Sequence, residues 1–419
     1  MANKLPTYQI YNHFFDFDLY TVNMMYVVLN EFPRACCKWK LFDRNNTIYP
    51  KGFAEELKSQ INEIGKLIPD KNELNFLSEK AYYLPKWFIN FLSSYRFDPN
   101  EVDVFQDNEG HLHVEIEGLW WKTIPWEQPI MSTISEMLHH YNGVFETYSR
   151  DEVITDTMRK AHSLMINGCK FSEFGCRRRL SYENHVNVLS ALCFKRKEMG
   201  EYGGNNFVGT SDIHLAYLAN KEFNTDLKII GTVAHSFITN IAALYGPIEA
   251  NSIAMQLWRK NFNGDLGIFL PDSFGWKAFS DNFSKVDAKS FDGLRVDSGD
   301  EFEMVEIMCN KYKSLGVNPM HKELVFSNGL NVDKAIKIHN FCYGKINDSY
   351  GIGTELTSNI YDSNGNLKYK PMNIVIKSVA CKITENRDWN GVVKFSCDEG
   401  KVTGDPSIIE LYKSLLHMK

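Results

Sequence analysis

The segment GLRVDSGD (293–300) sets Arg295, Asp297, Ser298 and Asp300 within six residues, directly after a strand-like apolar run. Oxygen donors at this density suit ribose hydroxyls or a magnesium-bound diphosphate, while the plainer reading is a Ser-Gly turn capped by aspartates. GTVAHSF (231–237) places His235 in a small-residue turn behind the apolar run LKII. An imidazole at a strand's carboxyl end can be a chemical group or a satisfied structural histidine. EFGCRRRLS (173–181) offers three guanidinium forks that match carboxylate or phosphate oxygens, although three adjacent arginines also commonly open a solvated helix. FSNGL (326–330) and GIGT (351–354) are Gly-containing strand ends separated by a helix-length segment, and in barrels such loops cradle a phosphate with backbone N–H groups. His111 and His113 share a strand face but have no third metal ligand nearby, so a surface hairpin is expected there. No Gly-x-x-x-x-Gly-Lys-Ser/Thr segment occurs, which argues against a P-loop nucleotide site.

These residues need elements to hold them. Beyond about residue 120, short apolar runs end in small or polar clusters and a helical pattern follows, which is βα rhythm. Strands are predicted within 171–175, 206–211, 227–236, 266–273, 293–300, 323–330 and 349–356, each ending in residue types that carry chemistry in a parallel barrel. Earlier, DLYTVNMMYVVLNE (18–31) has helical spacing behind Asp18 as a candidate cap, and 53–67 repeats that pattern. Two alternating runs around Asp107-Asn108-Glu109-Gly110 predict a hairpin, and alternation returns in the tail from Met372, where strands could pair with that hairpin. The aromatic-rich 82–92 reads as core or subunit-packing surface. The fold class expected is α/β: an irregular α/β barrel over 121–371, with a smaller α+β domain formed by 1–120 and 372–419.

Composition bounds the rest. With 419 residues, 44% hydrophobic and 23% charged, the chain has the profile of an ordinary folded protein, and its length allows two or three domains of ~150 residues. A net charge of −6 without a long basic tract argues against indiscriminate nucleic-acid binding. The nine cysteines, 36, 37, 169, 176, 193, 309, 342, 381 and 397, contain no Cys-x-x-Cys pair and read as reduced, mostly buried thiols. No signal-type or ~18-residue apolar segment stands out, so a soluble cytoplasmic protein without a membrane partner is expected.

Taken in order, DLYTVNMM, EFGCRRR, GTS, GTVAHSF, DSF, GLRVDSGD, FSNGL and YGIGTELT resemble the nicotinate phosphoribosyltransferase family along almost the whole chain. The resemblance implies a type II phosphoribosyltransferase fold and a homodimer with shared sites. The implied reaction joins nicotinate to 5-phosphoribosyl 1-diphosphate, giving nicotinate mononucleotide and pyrophosphate with coupled ATP hydrolysis, in NAD salvage. Mg2+ is implied with the diphosphate and ATP. By the same resemblance, Tyr20 of one subunit and Phe174 of the other sandwich the pyridine ring. Arg177 and Arg295 are the matching cations, Thr232 contacts nicotinate, and Asp297 holds the ribose or the metal-bound diphosphate. Ser327, Asn328, Gly329, Gly351, Gly353 and Thr354 hold the 5-phosphate, and His235 is the histidine phosphorylated from ATP. Thr210 and Ser211 of the GTS motif join the substrate set. Ser211 stands where the nicotinamide-using relatives carry an aspartate, which would repel a carboxylate. Thr21 and Asp212 depart from the lysine and asparagine of common bacterial members.

Three other readings compete. A nicotinamide phosphoribosyltransferase is disfavoured by Ser211. A silent binding paralogue is disfavoured by the retained His235, Arg177, Arg295 and Asp297. An aldolase-type phosphate barrel lacks a lysine at an identified strand end for Schiff-base chemistry.

Overall fold

The computed structural model describes residues 4–362, 364–396 and 402–418, so Cys397 and its neighbours to Lys401 lie outside the described residues. The described strands are β1 (Cys36–Asp43), β2 (Val102–Gln106), β3 (Leu112–Leu119), β4 (Phe171–Glu173), β5 (Phe207–Thr210), β6 (Lys228–Ile229), β7 (Ile268–Phe269), β8 (Gly293–Val296), β9 (Glu323–Phe326), β10 (Asn347–Ile352), β11 (Ile374–Lys382) and β12 (Asn390–Gly391). All seven segments predicted as barrel strands enter one sheet, in the order β6-β5-β4-β10-β9-β8-β7, and every pairing in it is parallel. Its two edges, β6 and β7, hold only two residues each, shorter than their apolar runs suggest. Parallel strands are covered on both faces, which is why Phe171, Phe207, Leu294, Leu324, Phe326 and Ile352 are all fully buried.

The second sheet has the order β12-β11-β1-β3-β2 and is antiparallel. The predicted hairpin is β2–β3, and Asp107 closes its turn by accepting the N–H groups of Glu109 and His111 at 2.9 Å each. His111 and His113 also bond Asp107, which gives both rings a surface partner. The tail does join this sheet, but β11 pairs with β1, and β1 stands between the tail and the hairpin. Opposite charges fix that register: Lys38 faces Glu117 at 2.9 Å and Lys40 faces Glu115 at 2.7 Å. Strands from both ends of the chain therefore share one sheet. Over 82–92, the helix Lys86–Ser94 buries Phe88 and Leu92 and leaves Trp87 exposed. The eight described cysteines are free and buried.

The N-terminal segment is stitched to the parallel sheet. Leu19 N–H donates to Ser211 O, Ile213 N–H to Phe17 O and His214 N–H to Phe15 O, with an antiparallel bridge between Asp18 and Asp212. Beneath this seam Arg179 grips both carboxylate oxygens of Asp16, Nη2 to Oδ2 at 2.6 Å, and neither side chain has any exposure. The helix Leu19–Glu31 follows, buried from Leu19 through Val28 apart from Tyr20. Asp18 stands at its N-cap position but does not cap it with its side chain. The carboxylate is already held by Ser211 Oγ at 2.6 Å and Gln128 Nε2 at 2.9 Å. Thr21 is buried within the helix, where a lysine's charge would need a partner.

Asp212 explains itself in the same seam. It caps the helix Ile213–Phe223 by accepting Leu215 N–H at 2.8 Å, and it is fully buried beside Asp16. Burial, then the Asp16 charge, push its carboxyl well above the usual range against the pull of Arg179. A neutral carboxylic acid offers one donor and one acceptor, much as an asparagine amide does. Asp212→Asn should therefore fold and function. Because the folded-state pKa is raised, the contribution of the protonated Asp212 is complete below the unfolded value of about 3.9 and is lost as pH rises through the folded one. The parent chain should thus lose stability relative to Asp212→Asn as pH rises above the unfolded value of about 3.9, read as a pH series of denaturation midpoints for the two proteins. Parallel midpoints would show that Asp212 is ionised in the fold.

Candidate functional site

His235 opens the helix His235–Tyr245, just past edge strand β6, and Asp272 lies just past the opposite edge strand β7. Their contact, Nε2 to Oδ1 at 2.9 Å, joins the carboxyl ends of the two sheet edges, so the sheet curls into a barrel-like cup. Asp297, just past β8, stands on the other side of the ring, 3.9 Å from His235 Nδ1. Ser298 Oγ donates to the second oxygen of Asp272, and Ser327 Oγ donates to Asp297 Oδ1 at 2.6 Å. A buried carboxylate only accepts, so Nε2 carries the imidazole proton and Nδ1 presents a lone pair, a tautomer assigned from the network.

The charges agree with that assignment. Burial, then Lys394, lower the His235 pKa against the pull of Asp272, which leaves the ring neutral at neutral pH. Burial pushes Asp272 upward, but His235 and Lys394 hold it well below the usual carboxylate range. Asp297 is likewise kept low, with Arg295, His235 and Lys394 outweighing burial. Lys394 comes from the C-terminal tail. Phe395 N–H donates to Ser273 O at 3.0 Å, which seats this segment beside Asp272.

A second cluster surrounds Tyr20. Its hydroxyl donates to Glu127 Oε2 at 2.9 Å, and Arg177 Nη1 donates to Glu127 Oε1 at 3.2 Å, so one carboxylate ties the aromatic ring to the cation. A Cβ on Gly231 would lie 2.9 Å from Tyr20 N, so the turn carrying Thr232 packs directly on this residue. Tyr20 therefore reaches this cluster from the same chain, through the seam at Asp16–Leu19. Phe174 lies on the neighbouring strand end, and its ring presses on Gly351, where a Cβ would approach to 2.3 Å. A Cβ on Gly353 would lie 2.8 Å from Phe174 O. Both glycines are thus demanded by Phe174 as well as by any ligand.

The three arginines have three different partners and form no solvated helix start. Arg177 meets Glu127, Arg178 donates to Ile374 O at 3.2 Å, and Arg179 holds Asp16. Thr210 is fully buried, and its hydroxyl donates to Glu173 at 2.6 Å, which also pairs with His185 at 2.8 Å; this hydroxyl props the strand end from behind. Ser211 is committed to Asp18, whose carboxyl is pushed up to about 6, chiefly by burial. Thr232 is buried, with its hydroxyl 3.4 Å from Val233 O. Ser327, Asn328 and Gly329 follow β9, and Gly351, Gly353 and Thr354 end and follow β10; these strands are neighbours, so the two loops lie side by side. Gly329 adopts φ 53° with open space where a side chain would project. Arg295 Nε is buried without a hydrogen-bond partner among the described residues, a donor suited to an anionic ligand.

One ligand atom each from His235, Asp272 and Asp297 fall within 4.8 Å of one another. Two carboxylates suit a hard divalent cation that keeps some of its water and is shared with a diphosphate. Sequence reasoning missed Asp272, Lys394 and Glu127 as site residues. Asp272 lay inside the DSF motif without a role, whereas Glu127 and Lys394 sit in segments without a local signature and become visible only through their partners.

Residues 169–412 match the model of the nicotinate phosphoribosyltransferase (NAPRTase) family, and residues 15–135 match the model of that family's N-terminal domain. A nicotinate phosphoribosyltransferase of Desulforapulum autotrophicum is 36% identical over 390 residues, 93% of this chain and 95% of that protein. The enzyme of that name from Chromohalobacter salexigens is 35% identical over 408 residues, covering 96% and 97%. Among solved structures, the nicotinate phosphoribosyltransferase of Porphyromonas gingivalis superposes with a TM-score of 0.88 at 35% identity, over 98% of this chain and 100% of that one. A putative nicotinate phosphoribosyltransferase from Saccharomyces cerevisiae gives 0.90 at 27% identity, over 99% and 100%. With both family models matched in order, relatives aligned over nearly their full length, and the same fold in solved structures, the chain belongs to the nicotinate phosphoribosyltransferase family.

Proposed function

We propose that this family member transfers the phosphoribosyl group of 5-phosphoribosyl 1-diphosphate to nicotinate, coupled to ATP hydrolysis through His235, and so makes nicotinate mononucleotide for NAD biosynthesis. The observation that carries the reading is the neutral His235 held between Asp272 and Asp297 in the mouth of the cup. The pyridine nitrogen attacks C1 of the ribosyl group, and the C–O bond to the diphosphate breaks with its electron pair leaving on pyrophosphate. Positioning and charge stabilisation supply most of the rate. Tyr20 and Phe174 flank the ring, Arg177 and Arg295 face the carboxylate, and Thr232 lines the pocket. Asp297 receives the ribose or the metal-bound diphosphate, and the paired loops 327–329 and 351–354 receive the 5-phosphate. Magnesium, held with the diphosphate near Asp297 and Asp272, would neutralise leaving-group charge.

In the ATP half-reaction, His235 Nδ1 attacks the γ-phosphorus and ADP departs. Asp272 retains the Nε2 proton and orients the ring, a positioning role. In this reading two copies of the chain associate as a homodimer with shared sites, Tyr20 of one and Phe174 of the other flanking the ring. Residues 1–120 with 372–419 form the smaller domain in this scheme, and 121–371 the barrel. Eight buried thiols fit a reducing, cytoplasmic setting. Among the described residues, no helix is long and apolar enough to cross a membrane.

Pyrophosphate release with magnesium should occur with nicotinate, rise with ATP, and be weak with nicotinamide; release with nicotinamide alone would reverse the substrate assignment. His235→Ala should abolish both ATP stimulation and labelling of the protein from γ-labelled ATP, while slow basal transfer persists. Labelling of the parent should persist to more acidic pH than a free imidazole would allow, because burial lowers the His235 pKa. Full coupling in His235→Ala would remove the phosphohistidine. Glu127→Gln should raise the nicotinate KM about tenfold with a smaller change in kcat, since it loosens Tyr20 and Arg177 together.

A further inference from the structure

Lys160 lies on the helix Arg150–Ile166, and its side chain is only 1% exposed. An ammonium carries three N–H donors and is costly to bury unless all of them are matched. Here all three are. Nζ donates to Glu355 O at 2.7 Å and to Asn359 O at 2.6 Å, and it pairs with Asp156 Oδ2 at 2.7 Å. Glu355 Oε1 lies 3.8 Å away and the Tyr361 ring 4.9 Å away. Tyr361 and Asn359 in turn donate to Glu355 Oε2 at 2.9 and 2.8 Å. Both captured carbonyls belong to the turn that immediately follows Gly351–Thr354.

We propose that Lys160 is a positioning residue for the reaction: it clamps the backbone behind the Gly351–Thr354 loop and, with Arg159 on the other oxygen of Asp156 at 2.7 Å, offsets the charge of Asp156 and Glu355, so that this loop can receive the anionic 5-phosphate. The inference rests on the phosphate assignment made under Proposed function. Two physical effects support it. Fixing the carbonyls of 355 and 359 pins the helical turn that Thr354 opens and the residues just after it, so the loop is organised before the ligand arrives. And Glu355, 6% exposed and next to Thr354, would set a poorly solvated negative charge beside an incoming phosphate if the ammonium were absent, whereas Asp156 would keep Arg159 as a partner. Asn184, donating to Thr357 O at 2.8 Å, holds the next carbonyl of the same turn, so the clamp is continuous.

The test is steady-state kinetics on the full-length protein, with inorganic phosphate as a competitive probe. Lys160→Met should raise the KM for 5-phosphoribosyl 1-diphosphate about tenfold or more and weaken phosphate inhibition in parallel, with the nicotinate KM within about twofold. Lys160→Arg keeps the charge but not the compact three-donor head, and should fall between parent and Lys160→Met. If Lys160→Met does not fold, Lys160→Arg is read by the same criterion. A lowered melting temperature with both KM values and phosphate inhibition unchanged would make Lys160 a purely structural residue and overturn the proposal. Ser327→Ala and Thr354→Val separate the two levels. If they leave the phosphoribosyl diphosphate KM unchanged, the phosphate assignment itself fails; if they raise it and neither Lys160 variant does, only the clamp fails.

Discussion

The fully buried ion pair between Asp16 and Arg179 holds the rest of the site in register. A bidentate pair with no exposure on either side costs much desolvation, and removing one partner would leave an uncompensated charge in the interior. Its structural return is specificity of docking. It fixes the N-terminal segment against the parallel sheet, and from that anchor the backbone pairing of Phe15–Leu19 with Ser211–His214 follows. Two residues on, Asp18 reaches Ser211; two further, Tyr20 reaches Glu127 and Arg177. The second and third arginine of the triplet thus brace the fold, while the first meets Tyr20 on the Glu127 carboxylate.

The centre around His235 works by a different balance. Two carboxylates flank one imidazole, yet burial, then Lys394 from the tail, lower the ring's pKa, while Lys394 helps hold Asp272 low and Arg295 of β8 does the same for Asp297. The tail thus lends charge to this cluster as well as a strand to the smaller sheet. The backbone bond from Phe395 to Ser273 and the packing of Phe395 against Phe274 help seat it beside Asp272.

Curvature of the sheet matters as much as its connectivity. An open parallel sheet would keep β6 and β7 at opposite ends, with His235 and Asp272 far apart. Right-handed strand twist accumulated across seven strands brings those edges' carboxyl ends together. The edge strands shrink to two residues each, because beyond them the chain leaves the ladder to form the loops that carry His235 and Asp272.

The βα rhythm, the seven strand ends and the ordered motifs were legible in the sequence, since each rests on local patterning: apolar runs, small-residue turns, and clusters of chemically active side chains a few positions apart. So were His235, Asp297, Arg295 and the two glycine loops. β1 was not, because its lysines are polar in isolation and become strand residues only opposite Glu115 and Glu117. Asp18 read as a helix cap until Ser211 and Gln128 claimed it from 193 and 110 residues away. Glu127, Asp272, Lys394 and Lys160 share that cause: each acts through a partner distant in the chain, and a carboxylate or an ammonium has no local pattern that says which partner it will meet. Residue types and short spacings determined what chemistry was available. Only the curl of the sheet and the docking of both termini decided which groups stand within hydrogen-bond reach, because those distances are set by packing and buried charge pairing across the whole chain.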